Sequence, residues 1–206
     1  MKANRFFIFV IFSIIGVLAA AQPWMMRPQG PANEFSAMEG TSVLNYNLQM
    51  ERDIHSRAGY GPAFYIFPDS KLDNNQALEL AGKLDLVNII KEYGGRIMVV
   101  NPSSDKWQEQ DLENFRRLIG MGGSPTNVKV IGIGSGATFV NRHLAATDMT
   151  GVIAGIVSID GEPGKICKLP VPAFIGGKNA AKAAKPYQTT SDAAPADPLQ
   201  KVVVNT

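Results

Sequence analysis

The fold is decided by the stretch Val128-Lys129-Val130-Ile131-Gly132-Ile133-Gly134-Ser135-Gly136-Ala137-Thr138-Phe139. Its first half is rich in β-branched residues, which predicts a buried strand. Three glycines around one serine follow, and such small residues allow the chain to turn sharply. Phe139, Val140 and Leu144 then share one apolar side, which predicts a helix directly after the turn. The stretch therefore predicts a strand, a tight turn and a helix in immediate succession.

The sequence on either side alternates between strand and helix patterns. Short apolar runs predict strands at 63–67, 96–101, 152–159 and 170–175, and an alternating pattern predicts an earlier strand at 42–50 with a partner at 51–56. Apolar residues at helical spacing predict a helix at 73–93, capped near Asp73, and another at 107–119, capped by Ser104 or Asp105. This order predicts an α/β fold, a mostly parallel sheet with helices on both faces.

Parallel sheets bind ligands at the carboxyl ends of their strands. The residues expected along this rim are Asp69, Asn101, Gly134, Ser135, Gly136, Asp160, Lys178 and Asn179. Rim carboxylates are also frequent turn formers and helix caps, and that structural role is favoured for Asp69 and Asp160. No spacing of His, Cys, Asp and Glu indicates a metal site, and no cofactor is expected.

The two ends of the chain differ in composition from its centre. Residues 1–21 read as a secretory signal, with Lys2 and Arg5 before an apolar run of 13 residues at 6–18 and a cleavage site at Ala19-Ala20-Ala21. The run is short for a membrane span, so no stable membrane anchor is expected and the protein is predicted to be secreted or periplasmic. Residues 22–41 are predicted to form a flexible leader and 42–179 the folded domain. Residues 180–206 are predicted to be a low-complexity tail or the start of a further C-terminal part, with a strand beginning near Val202.

Charge and cysteine content exclude some classes of protein. Without Lys2 and Arg5 the chain has 18 basic and 18 acidic residues, so a nucleic-acid partner is not indicated. Cys167 is the one cysteine, which excludes an intrachain disulfide and favours a small apolar residue beside a strand.

Several short segments occur in an order found in a known family. Ala58-Gly59-Tyr60 precedes an apolar strand, Tyr93-Gly94-Gly95 precedes the next strand, and Asn127-Val128 leads into the central stretch. A further segment is Val171-Pro172-Ala173-Phe174-Ile175-Gly176-Gly177. From Tyr46 to Tyr187 the chain resembles the secreted esterase branch of the α/β-hydrolases that includes polyhydroxybutyrate depolymerases and feruloyl esterases. The resemblance implies that the central turn is a nucleophile elbow and that the partner is a small-molecule or polymer ester, or an unknown ligand.

The chain departs from the family's pattern at the catalytic positions. In the G-x-S-x-G frame of residues 132–136 the nucleophile position is Gly134. Pro68-Asp69 replaces the His-Gly that supplies an oxyanion donor, Asn179 or Ala180 replaces the acid, and no histidine follows His143. The resemblance therefore implies a hydrolase fold with an impaired site. Two alternatives stay open: an active serine esterase that uses Ser135 with a histidine from beyond Thr206, and a non-catalytic module that binds an unknown ligand or partner.

The remaining candidates are read mainly as structural. Ser135 becomes a nucleophile if the turn slips by one residue, but a serine that satisfies backbone groups at a helix start is favoured. His143 is expected to point away from the apex, and His55 is expected to be structural. Gly132-x-Gly134-x-x-Ala137 resembles a dinucleotide fingerprint, although an exported protein meets little dinucleotide. Gly134 is expected at positive φ, and Gly134→Ser is expected to fold with a modest loss of stability.

Overall fold

The computed structural model describes residues 33–38, 41–45, 62–93, 96–121, 127–193 and 201–206. A two-stranded antiparallel sheet comes first, and six parallel strands follow in the spatial order β4-β3-β5-β6-β7-β8. The strands are β1 (Asn33–Met38), β2 (Thr41–Asn45), β3 (Ala63–Phe67), β4 (Arg96–Val99), β5 (Val128–Ile133), β6 (Ile153–Ile159), β7 (Ala173–Gly176) and β8 (Val202–Asn205). The predicted fold class, a mostly parallel sheet with helices on both faces, is confirmed.

Helices cover both faces of the parallel sheet. They are α1 (Asn74–Lys83), α2 (Leu86–Tyr93), α3 (Asp111–Met121), α4 (Ser135–Phe139) and α5 (Ala180–Ala193), and α4 continues as a π-helical turn at Val140–Leu144. Because side chains alternate along a strand, Phe64 and Ile66 of β3 pack with α1 and α2, whereas Tyr65 and Phe67 pack with α3 and α4. Each face of the sheet therefore has its own buried apolar layer.

Two boundary predictions were wrong. Asn33–Met38 lies in the predicted flexible leader but pairs with β2, and the predicted partner at 51–56 lies outside the described residues. The predicted low-complexity tail contains α5 and β8, and β8 pairs with β7 as the edge strand. The folded domain therefore extends well beyond residue 179. The strand predicted near Val202 is confirmed.

Two helix boundaries also differ from prediction. The helix expected at 73–93 is two helices, because Asp85 adopts φ 57 between them. Its predicted start is confirmed, since Asp73 forms a capping box with Gln76. The helix expected from 107 begins at Asp111, and neither Ser104 nor Asp105 caps it. The Asp111 carboxylate instead accepts hydrogen bonds from the backbone of Ser103 and Gln108, at 3.0 and 2.8 Å.

A lysine is buried within β5. Lys129 is 4% exposed, and its ammonium donates a 2.6 Å hydrogen bond to the Asn127 side-chain oxygen. Burial lowers the pKa of Lys129 from 10.5 to about 8, because a charged amine is poorly solvated there. The stability of the sheet interior therefore depends on pH in the alkaline range.

The chain path creates a crevice at one point of the sheet. After β3 the chain moves outward to β4 and then returns across β3 to β5. Helix α1 follows β3 on one face, whereas α4 follows β5 on the other. Where successive connections leave a parallel sheet on opposite faces, the carboxyl ends of the strands border an open crevice. A functional site is therefore expected at the segments after β3 and β5.

Candidate ligand site at the carboxyl ends of β3 and β5

Gly134 forms the apex of the turn between β5 and α4. Its φ is 57° and its ψ is −119°, a conformation that is costly for residues with a side chain. Its N–H donates a 2.8 Å hydrogen bond to the Ile159 carbonyl at the end of β6. The expectation of positive φ at this residue is confirmed, and the sharp turn explains why glycine stands there.

Asp69, directly after β3, fills the space above this apex. One carboxylate oxygen of Asp69 accepts a 2.6 Å hydrogen bond from the backbone N–H of Ser135. The Ser135 hydroxyl donates to the backbone carbonyl of Asp69. A Cβ added to Gly134 would lie 2.6 Å from the Asp69 carboxyl carbon. The carboxylate of Asp69 therefore occupies the place that a side chain at position 134 would need.

The neighbours of Asp69 and Ser135 shape the rest of the loop. Pro68 has no N–H to donate, and its carbonyl accepts a 2.8 Å hydrogen bond from the indole N–H of Trp107. Gly136 is buried against the β3 loop, since a Cβ there would lie 2.5 Å from the Pro68 oxygen. Gly136 thus allows α4 to approach β3 closely and lines neither of the clefts described next.

Two clefts flank this contact. The first, here called the aromatic cleft, has a volume of about 420 Å³ and is lined by Asp69, Asp105, Lys106, Trp107, Ser135, Thr138, Phe139, Arg142 and His143. Trp107 stacks on Phe139 with ring centroids 4.9 Å apart, and His143 lies against the same phenyl ring at 5.7 Å. The second, the aliphatic cleft, has a volume of about 300 Å³ and is lined by Pro68, Asp69, Ser70, Leu72, Gln76, Glu79, Leu80, Lys83 and Ile133.

His143 was predicted to point away from the apex and to have a surface or packing role, and it packs against Phe139. His143 lines the same cleft as Ser135, because the helix that begins at Ser135 presents both residues on one side. Eight residues nevertheless separate them, along α4 and the π-helical turn that continues it. The Ser135 hydroxyl donates to the Asp69 carbonyl and not to the His143 imidazole.

Asp160 and Asn179 lie on the rim but outside both clefts. Asp160 adopts φ 56, and its carboxylate accepts a 3.3 Å hydrogen bond from the Lys178 backbone N–H. The Asn179 side chain donates to the Glu162 carboxylate at 3.1 Å. Asn101 is buried and makes two hydrogen bonds with the backbone of Leu72, at 3.0 and 2.7 Å. These polar side chains fix loops and are separate from the clefts.

Sequence reasoning missed most of the residues that line the aromatic cleft. Trp107, Thr138, Phe139 and Arg142 come from two segments that only the fold brings together. The aromatic residue before α3 was a usable signal, because a large ring at the mouth of a parallel sheet often contacts a ligand. Arg142 gave no comparable signal in the sequence, since a single arginine on a helix is usually solvated.

Other candidate chemistry is not supported within the described ranges. No group of three or more His, Cys, Asp and Glu side chains there is arranged to hold a metal ion. Cys167 is buried beside Leu169, and burial raises the pKa of its thiol, which disfavours the reactive thiolate. None of the helices in the described segments has the length and apolar character needed to cross a membrane.

Among comparisons with known proteins, the match to one solved structure supports the architecture. No protein-family model matches the sequence, and no curated protein matches it significantly. Among solved structures, an α/β hydrolase enzyme from a Medee basin deep-sea metagenome library is 14% identical, with 88% of this chain and 80% of that chain covered and a TM-score of 0.54. A sugar hydrolase from Lactococcus lactis (13% identical, 85% and 81% covered, TM-score 0.49) and an α/β serine hydrolase from Xanthomonas campestris (15% identical, 87% and 86% covered, TM-score 0.48) also match.

Proposed function

The chain has the α/β-hydrolase fold, and we propose that it is an exported, catalytically impaired relative of carboxylic-ester hydrolases that binds a small ligand at its rim. One observation carries the proposal, the Asp69 carboxylate on the Ser135 backbone N–H. In hydrolases of this fold, the N–H that follows the nucleophile stabilises the oxyanion of the transition state. A fixed carboxylate at that N–H removes the donor and adds a repelling charge.

The nucleophile side of the chemistry is impaired as well. Gly134, at the apex, has no side chain to attack an ester. Ser135 next to it donates its hydroxyl proton to the Asp69 carbonyl, which cannot act as a base. His143, the one histidine in the described segments, lies eight residues beyond Ser135 and does not accept the proton of its hydroxyl. The specific descent from secreted polyester or feruloyl esterases rests on the sequence resemblance alone.

The aromatic cleft supports a binding role. It combines the stacked rings of Trp107 and Phe139 with charged side chains of both signs, which are Lys106, Arg142, Asp69 and Asp105. Small-molecule sites commonly place polar groups beside aromatic side chains to fix the orientation of the ligand. The ligand is an ester or another small molecule, held without cleavage.

An ester turnover assay tests the impaired chemistry. A short-chain nitrophenyl ester should be hydrolysed by the purified protein no faster than by buffer, and Ser135→Ala should change nothing. Removal of base and oxyanion donors each costs about a hundredfold or more in rate, so an active site would be detected easily by contrast. Turnover that disappears in Ser135→Ala would instead establish an active serine esterase that uses Ser135.

Export is a separate part of the proposal and needs its own test. The charged start, the apolar run and the Ala19-Ala20-Ala21 site support removal of residues 1–21. Intact-mass measurement of protein recovered outside the cytoplasm should give a chain that begins at Gln22. A species that retains Met1 would show that the apolar run acts as an anchor.

A further inference from the structure

The aromatic cleft and the aliphatic cleft meet at a single side chain. Ser135 borders the aromatic cleft and Ile133 borders the aliphatic cleft, with Gly134 between them in the chain. Asp69 lines both clefts. Its carboxylate packs on Gly134, the residue that joins Ile133 to Ser135.

The dividing carboxylate is held in place from several sides. Ser135 contacts Asp69 twice, through its N–H to the carboxylate and through its hydroxyl to the carbonyl. The preceding residue, Pro68, is fixed through its carbonyl by the Trp107 indole at 2.8 Å. Moving the carboxylate away from Gly134 would break a short charge-assisted hydrogen bond. The division between the clefts is therefore a fixed feature of the loop.

We propose that the two clefts are halves of one groove that Asp69 divides, so that Asp69 determines the length of ligand that the rim accepts. The inference rests on the proposed function only in taking the rim to be a ligand site. Either half, about 420 or 300 Å³, has the size of a small-molecule site. A compact ligand fits one half, whereas an extended aliphatic chain meets the Asp69 carboxylate. Removing that side chain joins the halves across Gly134.

A series of linear diols tests this division in the full chain. Binding of 1,4-butanediol, 1,6-hexanediol and 1,8-octanediol is measured by NMR titration, with the Trp107 indole N–H and the methyl groups of Leu72 and Leu80 as reporters of the two clefts. The proteins compared are wild type, Asp69→Gly, which opens the passage, and Asp69→Asn, which keeps the shape of the side chain and removes its charge. Far-UV circular dichroism confirms that each variant is folded.

The expected result is a length effect in one variant only. In Asp69→Gly, affinity should rise about three- to fourfold for each added methylene up to the longest diol, because each becomes buried in the joined groove. Wild type and Asp69→Asn should gain little beyond 1,4-butanediol. The same length effect in Asp69→Asn would mean that charge, not shape, sets the limit and would overturn the proposal. Equal affinities in all three proteins, including no measurable binding, would overturn it too. Ester hydrolysis, measured separately, decides the proposed impairment of catalysis independently of these affinities.

Discussion

Two pairs of neighbouring strands, β3 with β5 and β6 with β7, end in the same local arrangement but in different surroundings. After β3, the Asp69 carboxylate packs on Gly134 at the end of β5 and accepts from the next backbone N–H, that of Ser135. After β6, the Asp160 carboxylate packs on Gly177 at the end of β7 and accepts from Lys178. Both glycines have positive φ, 57° and 103°. A carboxylate on a glycine turn is therefore a general way in which this sheet closes its loops.

The difference lies in the connections of the strands. At β3 and β5 the chain direction across the sheet reverses, and helices leave on opposite faces, which opens the two clefts around Asp69. At β6 and β7 the strands are neighbours both in the chain and in the sheet, and neither Asp160 nor Gly177 lines either cleft. The contact of Asp160 with Gly177 therefore only stabilises a loop. The contact of Asp69 with Gly134 divides a groove, because a cleft lies on each side of it.

The largest expected effect tests whether both carboxylates exclude a side chain. Gly134→Ala and Gly177→Ala should each lower the free energy of unfolding by about 4 kcal/mol, through backbone strain and displacement of a hydrogen-bonded carboxylate. Gly151→Ala is the matched control, because Gly151 has φ 85 but open space around it, and it should lose only about 1 kcal/mol. Urea unfolding measures all three. Equal losses of unfolding free energy in the three variants would mean that backbone strain alone causes the loss and that the carboxylates do not contribute. The sequence-based expectation of a modest loss for Gly134→Ser is revised upward for the same reason.

The second effect is a pH dependence of stability that arises from Lys129, which is buried near the end of β5 opposite the rim. Since the pKa of Lys129 is lowered to about 8 on folding, the unfolded chain binds more protons between pH 8 and 10.5, and stability gains on the order of 3 kcal/mol as pH rises through this window. Burial raises the pKa of Cys167 and Tyr187, which opposes this gain. Urea unfolding at several pH values therefore measures the free energies of unfolding of wild type and Lys129→Met. The difference between the two isolates the contribution of Lys129. A difference that does not change with pH would contradict the lowered pKa.

The smallest effect is a difference between the two glycine turns in how much stability is recovered when the carboxylate is removed. The atoms nearest to a Cβ at Gly134 all belong to the Asp69 side chain, so Asp69→Gly should reduce the cost of Gly134→Ala by about 2 kcal/mol in a double-mutant cycle. At Gly177 the backbone nitrogen of Asp160 also lies 2.9 Å away, so Asp160→Gly should recover less than about 1 kcal/mol. Equal recovery at both positions would mean that the two arrangements are the same in energy as well as in form.

The sequence predicted most of the sheet because its strands carry strong local signals. The buried run that forms β3 is continuous and apolar, those that form β5 and β6 are mostly apolar, and Asp73 caps α1 as its position suggested. Helix α5 was missed because its buried stripe consists of Ala180, Ala183, Ala184 and Tyr187, and alanine contributes little apolar contrast to a helical pattern. The described part of the predicted leader was misjudged because polar and apolar residues do not alternate along β1, so the strand is defined by its pairing with β2.

By itself, the sequence determined the parallel α/β sheet, the glycine turn at residue 134 and the absence of a nucleophile from its apex, since these depend on local residue types. The tertiary structure decided where Asp69 lies, because its hydrogen bond with Ser135 joins residues 66 positions apart. It also decided that the indole of Trp107 and the helix after Ser135 form one cleft. Such contacts depend on the order of strands in the sheet and on the faces from which helices leave it, and no local pattern of residues encodes that order.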